Sequence, residues 1–111
     1  ALQAHAQARQ AWLAWMHNID AVLTPCAPFG ARLLADVDEA ATPLAAFTRA
    51  GNYVNASGLA LPAGFTAGGL PLGVQLLGKP NAEGTLGKIG MAFQAVTDWH
   101  RRHPDLKAIG L

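Results

Sequence analysis

The apolar residues of this chain fall into alternating spacings that predict a mixed helix and strand order. From Leu2 to about Asn18 there is no Gly or Pro, and Trp12, Trp15, Met16 and Ile19 recur at helical spacing on one stripe, which predicts an amphipathic helix. Asp20-Ala21-Val22-Leu23-Thr24 is a short apolar run stopped by Pro25 and Pro28, so a short buried strand leading into a loop is expected. Residues Phe29 to Ala41 show no sustained period and read as loop. Thr42-Pro43 has the form of an N-cap followed by proline at the first helical position, with Gly51 as a stop, which predicts a short helix from Pro43 to Ala50. Two apolar runs, Leu59–Phe65 and Leu72–Leu77, flank Gly68-Gly69 and predict a β-hairpin whose turn uses the positive φ angles open to glycine. Both faces of these strands are apolar, as expected of strands buried within a larger sheet. Beyond Lys79-Pro80, Asn81 is placed to cap a helix running to about His103, with Leu86, Ile89, Phe93, Val96 and Trp99 as its core face and Pro104 as its end. No repeat, low-complexity tract or linker interrupts this order, so residues 1–111 are expected to form one α/β unit.

Composition changes that picture in one respect. Apolar residues make up 51% of the chain without counting glycine, and charged residues only 14%. Ordinary domains reach roughly 45–50% with glycine included and about 25% charged. A small domain needs proportionately more polar cover, so this excess points to a piece of a larger core or to a buried partner surface. The net charge is +1 and the basic residues are scattered apart from Arg101-Arg102, which gives no footprint for nucleic acid. No apolar run is long enough to span a membrane, and the first residues lack the layout of a secretory signal, so a cytoplasmic setting is expected. Cys26 is the only cysteine, which excludes an intrachain disulfide and any zinc site built on cysteine pairs.

The residues capable of chemistry are few. Ser57 is the only serine and lies in no Gly-x-Ser-x-Gly elbow, so it reads as a loop or strand-edge hydroxyl rather than a nucleophile. Cys26, between two prolines, has nothing basic beside it to stabilise a thiolate and reads first as a small buried hydrophobe. His100 and His103, with His5 or His17, could be weighed as metal ligands, but without a carboxylate or cysteine at diagnostic spacing a solvated helix end is the better account. Trp12 and Trp15 read as core or interface.

Several words of the sequence resemble the amidase-signature hydrolases. Pro62-Ala63-Gly64-Phe65 followed by Gly69-Leu70-Pro71-Leu72-Gly73-Val74-Gln75-Leu76-Leu77-Gly78 is similar to the C-terminal hairpin of that family. Asp20-Ala21-Val22-Leu23-Thr24-Pro25-Cys26-Ala27-Pro28 resembles its D-x-L-L-T-P-x-x-P segment. Thr48-Arg49-Ala50-Gly51-Asn52 and the closing stretch Thr97-Asp98-Trp99-His100-Arg101-Arg102-His103-Pro104 agree in order and spacing. One departure is Asn55-Ala56-Ser57-Gly58, where many members carry G-L-P-A.

The resemblance implies the C-terminal part of the amidase-signature fold: a short strand, a buried hairpin and flanking helices. It also implies amide C–N bond hydrolysis by a serine, a second serine in a cis peptide and a lysine, with no cofactor and no metal. One serine cannot supply a two-serine apparatus, so the chain alone is expected to be inactive and to carry no catalytic residue. Thr24, Cys26, Phe47, Arg49 and Asn52 are the expected substrate-binding residues, as part of an acyl-pocket wall. For Arg49 and Asn52, a helix-end dipole contact and loop hydrogen bonding are equally open. The expected partners are the N-terminal part of the amidase domain and, in the complete enzyme, a small amide substrate. The alternative is a non-catalytic remnant that associates with itself or with a partner chain.

Overall fold

A computed structural model describes residues 2–38, 40–41 and 43–110. The elements in chain order are helix α1 (Leu2–Trp15), strand β1 (Val22–Pro25), helix α2 (Arg49–Val54), strands β2 (Gly58–Phe65) and β3 (Pro71–Leu77), and helix α3 (Glu83–Ala95). Short 3-10 turns at Leu34–Asp36 and Trp99–Arg101 punctuate the long connections. The three strands form one antiparallel sheet in the order β1-β3-β2.

The hairpin lies where its apolar runs predict it. Its turn is wider than a two-residue loop: the Thr66 amide donates to the Leu70 carbonyl at 2.8 Å, and the Thr66 hydroxyl accepts from the Leu70 amide at 3.1 Å. Of the two turn glycines only Gly69, at φ 80°, takes up left-handed backbone. A register shift between Pro62 and Gly64 marks a bulge, with Gly64 at φ 145°. Directly paired residues share a face, so Leu59, Leu61, Val74 and Leu76 line one side of the sheet while Gln75 and Leu77 line the other. Helix α3 covers the first face, where Leu61, Leu76 and Leu86 form the core and Ile89 and Phe93 pack against it. Helix α2 covers the second, where a Cβ on Gly51 would stand 3.0 Å from a Leu77 methyl.

That contact corrects the expected Pro43–Ala50 helix. Gly51 does not stop a helix: it lies buried inside α2 because only hydrogen lets the backbone approach Leu77 so closely. Residues 44–48 are turns instead, and the helix ends at Asn55, whose φ of 62° is left-handed. Thr42, expected as the N-cap, lies outside the described residues.

The last helix is also shorter than expected. It ends at Ala95, where Val96 and the β-branched Thr97 follow and the Thr97 hydroxyl donates to the Phe93 carbonyl at 2.8 Å. Val96 is 82% exposed and forms no part of the core. The break lets Trp99 turn toward Phe65, with ring centroids 6.0 Å apart, and Arg102 lies over Trp99 at 4.6 Å. Asn81 is left-handed at φ 61° and does not cap α3; the N-cap position falls to Ala82. In α1 the stripe divides, with Met16 fully buried just past the helix end, Trp12 half-buried and Trp15 57% exposed.

The accessible surface is 8092 Å², whereas a compact chain of 11.6 kDa exposes about 5,800 Å². The Cα radius of gyration of 16.7 Å likewise exceeds the roughly 13 Å of a compact chain this long. The composition and the shape therefore agree: the apolar excess is on the outside. Within α3, Gly87 faces open space, whereas a Cβ on Gly90 would stand 2.8 Å from a Leu59 methyl and 3.4 Å from one of Leu61. Gly87→Ala is expected to raise stability by about 0.5–1 kcal/mol, while Gly90→Val lowers it by about 1–3 kcal/mol, both read from urea unfolding midpoints.

Candidate functional site

The site begins where β1 runs into its prolines. Pairing with β3 carries the chain through Thr24 and Pro25, and the Cys26 amide extends it by donating to the Gly73 carbonyl at 3.0 Å. A Cβ on Gly73 would stand 3.2 Å from Cys26 Sγ, so glycine is what admits the thiol beside β3. Burial pushes the Cys26 thiol above its ordinary pKa, which opposes a nucleophilic thiolate.

Beside Cys26 lies a groove of about 370 Å³, lined chiefly by Phe29, Arg32, Leu44, Leu72 and Gly73. The Arg32 guanidinium stacks on Phe29 at 3.6 Å from the ring centroid, setting one cation at the edge of an otherwise apolar channel. Such a groove suits an apolar or amphipathic group. Among the described residues it offers no nucleophile activated by a neighbouring base.

Of the five expected residues, Cys26 lines this groove, whereas Thr24 and Phe47 do not. Thr24 and Phe47 meet through Gln75: its Nε2 donates to Thr24 Oγ1 at 2.9 Å and to the Phe47 carbonyl at 2.7 Å. Cys26 is two residues beyond Thr24 on the groove. Arg49 and Asn52 lie elsewhere, exposed in a shallow depression with His5, Ala50 and Tyr53. There α1 meets α2, and His5 Nε2 donates to the Tyr53 carbonyl at 2.6 Å. Sequence reasoning misses Gln75, although a lone polar residue inside the run Leu72–Leu77 is a signal that its amide must find buried partners.

Ser57 has a structural task that its sequence surroundings do not reveal. Its hydroxyl donates to Glu83 Oε1 at 2.9 Å and accepts from the Ala82 amide at 3.0 Å, so it satisfies the start of α3 from 25 residues upstream in the chain. A hydrogen bond from the backbone amide of Glu83, and then the Ser57 hydroxyl, lower the pKa of the Glu83 carboxyl. Among the described residues no group of three or more His, Cys, Asp and Glu side chains is placed to share a metal ion, and no helix is long and apolar enough to cross a membrane.

The family model described as Amidase matches residues 1–86. This chain belongs to the amidase family. Its relatives include a glutamyl-tRNA(Gln) amidotransferase subunit of Desulforudis audaxviator, 43% identical over 90 residues covering 78% of this chain and 18% of that one. The corresponding subunit from Geobacter sp. (strain M21) is 36% identical over 103 residues, covering 88% and 21%. A crystal structure of the same glutamyl-tRNA(Gln) amidotransferase subunit from Thermotoga maritima superposes with a TM-score of 0.78 at 25% identity, covering 86% of this chain and 21% of that one. The amidase-family segment thus spans about a fifth of the length of the relatives it matches.

The Ser57 contacts lead to a pH-dependent expectation. Ser57→Ala should cost about 1 kcal/mol in urea unfolding, because it removes the buried hydroxyl's bond to Glu83 and leaves the Ala82 amide with only the Lys79 carbonyl, at 3.2 Å, as its partner. A carboxyl whose folded pKa is lowered stabilises the fold above its ordinary value near 4.5 and loses that contribution as the pH falls through the folded pKa. The stability gap between the wild type and Glu83→Gln should therefore be constant above about pH 5.5 and close on further acidification.

Proposed function

We propose that this chain is the C-terminal segment of an amidase-family enzyme that cleaves amide C–N bonds, supplying sheet strands and one wall of the acyl pocket. In this reading the two serines and the lysine come from residues outside these 111, and Cys26, Phe47 and Thr24 border the acyl group. Arg49 and Asn52, on the other side of α2, face the polar portion of the substrate. The observation that carries the reading is the excess accessible surface: 8092 Å² on a chain of this mass is what a sheet and helices made for covering would expose. Family membership supplies the amide chemistry. Relatives named for glutamyl-tRNA(Gln) support a transfer or hydrolysis reaction at a carboxamide. With a net charge of +1 and scattered cations, this segment is assigned to the amide side of such a reaction and not to RNA contact.

A serine-directed fluorophosphonate probe tests the division of labour. It should leave the 111-residue chain unlabelled and label the full-length enzyme at a serine outside it; stoichiometric labelling of Ser57 would overturn the reading. In sedimentation at tens of micromolar, an order of magnitude chosen to capture weak association, the isolated chain should form dimers or larger species. A sharp monomer without dye-binding surface would show that nothing needs covering.

In the full-length enzyme, Cys26→Phe or Phe47→Trp should change the ratio of kcat/KM between short and long acyl amides by about tenfold or more, without altering probe labelling. Uniform kinetics across the acyl series would remove these residues from the wall.

A further inference from the structure

We infer that Gln75 is the positioning residue of this wall, its buried carboxamide fixing the turn of residues 43–48 on the end of β1 and thereby setting the width of the groove beside Cys26. The inference rests on the proposed role of the segment as an acyl-pocket wall, but its geometry is independent of that role. Gln75 is 7% exposed, in the central strand, on the face opposite Leu76. A carboxamide has two N–H donors, and Nε2 directs hydrogen bonds to two acceptors, Thr24 Oγ1 and the Phe47 carbonyl.

The turn it holds is a unit. The Ala46 amide donates to the Pro43 carbonyl at 2.9 Å, and the Thr48 and Arg49 amides both donate to the Ala45 carbonyl, at 3.3 and 3.1 Å. Among the described residues the contact of Gln75 with Phe47 is the one hydrogen bond that joins this turn to the sheet. Leu44 rides on the same turn and faces the groove with Cys26 and Leu72. Moving the Phe47 carbonyl therefore moves Leu44. Gln75 itself does not line the groove, so its influence on a bound acyl group passes through the turn.

Two variants separate positioning from bulk. Gln75→Leu keeps a side chain of similar volume and removes both donors. Gln75→Glu presents a carboxylate to the Phe47 carbonyl at neutral pH, yet regains an O–H donor when protonated. Cys26 reports the groove through its rate of reaction with 4,4′-dithiodipyridine, a disulfide reagent that works in acid. In the full-length enzyme, Gln75→Leu should accelerate that reaction about two- to tenfold, the factor expected when the one hydrogen bond to the Phe47 carbonyl no longer holds the turn closed. Gln75→Glu should accelerate it at pH 8 and return toward the wild-type rate as the new carboxyl is protonated, each rate being compared with wild type at the same pH. In the amide assay, Gln75→Leu should flatten the preference between short and long acyl chains by about tenfold through KM, with kcat little changed.

Wild-type Cys26 rates in both folded variants would overturn the proposal, as would a Gln75→Glu acceleration with no pH dependence. If Gln75→Leu does not fold, Thr24→Val removes one acceptor and leaves the donor in place. An unchanged Cys26 rate in both Thr24→Val and Gln75→Glu is again the refuting result. Failure of the wild type to cleave any amide would sink the functional reading, while the Cys26 rates would still decide the role of Gln75.

Discussion

Strand β3 is hydrogen-bonded along both edges and packed on both faces, and everything else in the chain is placed by reference to it. Its edges hold β1 and β2 in antiparallel register. Its alternation sends Leu76 to the α3 side and Leu77 to the α2 side. A one-residue slip would exchange these faces, driving Gln75 into the Leu61–Leu86 core and Leu76 into the polar contacts of Thr24 and Phe47. Register is thus fixed from both sides at once. Glycines at 51, 73 and 90 tighten the constraint, because each lets a neighbour approach the sheet more closely than a side chain would allow.

The constraint is local, and the chain around it is under-covered. Among the described residues the fully buried large side chains are Met16 and Leu86, while Leu23 at the outer edge of β1 is 65% exposed and Met91 on α3 is 71% exposed. Conformational entropy opposes ordering every residue in such an arrangement, and so few buried side chains supply little to offset it. The relatives that this amidase-family segment matches are about five times its length. β1 and β2 remain as open sheet edges, and strands whose free edge carries Leu23 and Phe65 favour further pairing over exposure to water.

What the sequence made legible was whatever short-range pattern governs. The hairpin limits followed from apolar runs around a glycine pair, and the words that carried the resemblance to the amidase-signature hydrolases, apart from the closing Thr97–Pro104, lie within the residues that the family model matches. The failures share a cause. Gly51 reads as a helix stop until Leu77, far along the chain, is known to press against it. Asn81 reads as a cap until its left-handed backbone hands that place to Ala82 and the hydroxyl of Ser57 serves the helix start. Val96 has the right spacing for a core face, but the helix ends before it. Of the expected site, Cys26 lines the groove and Thr24 and the Phe47 carbonyl meet on Gln75, whereas Arg49 and Asn52, two and five residues beyond Phe47, are carried to a separate depression by α2.

Two buried polar side chains now explain how so small a core holds so many elements. Gln75 joins β3 to β1 and to the turn before α2, and Ser57 joins the start of β2 to the start of α3. Each exchanges hydrogen bonds to water for bonds within the protein, so the net stabilisation is modest while leaving the buried side chain without a partner is costly. That asymmetry makes them specifiers of arrangement more than sources of stability. Apolar contacts tolerate sliding by fractions of an ångström, but a carboxamide shared between Thr24 and Phe47 does not. The width of the groove beside Cys26 is therefore better set by Gln75 than by Leu72 or Leu44, which supply its surface.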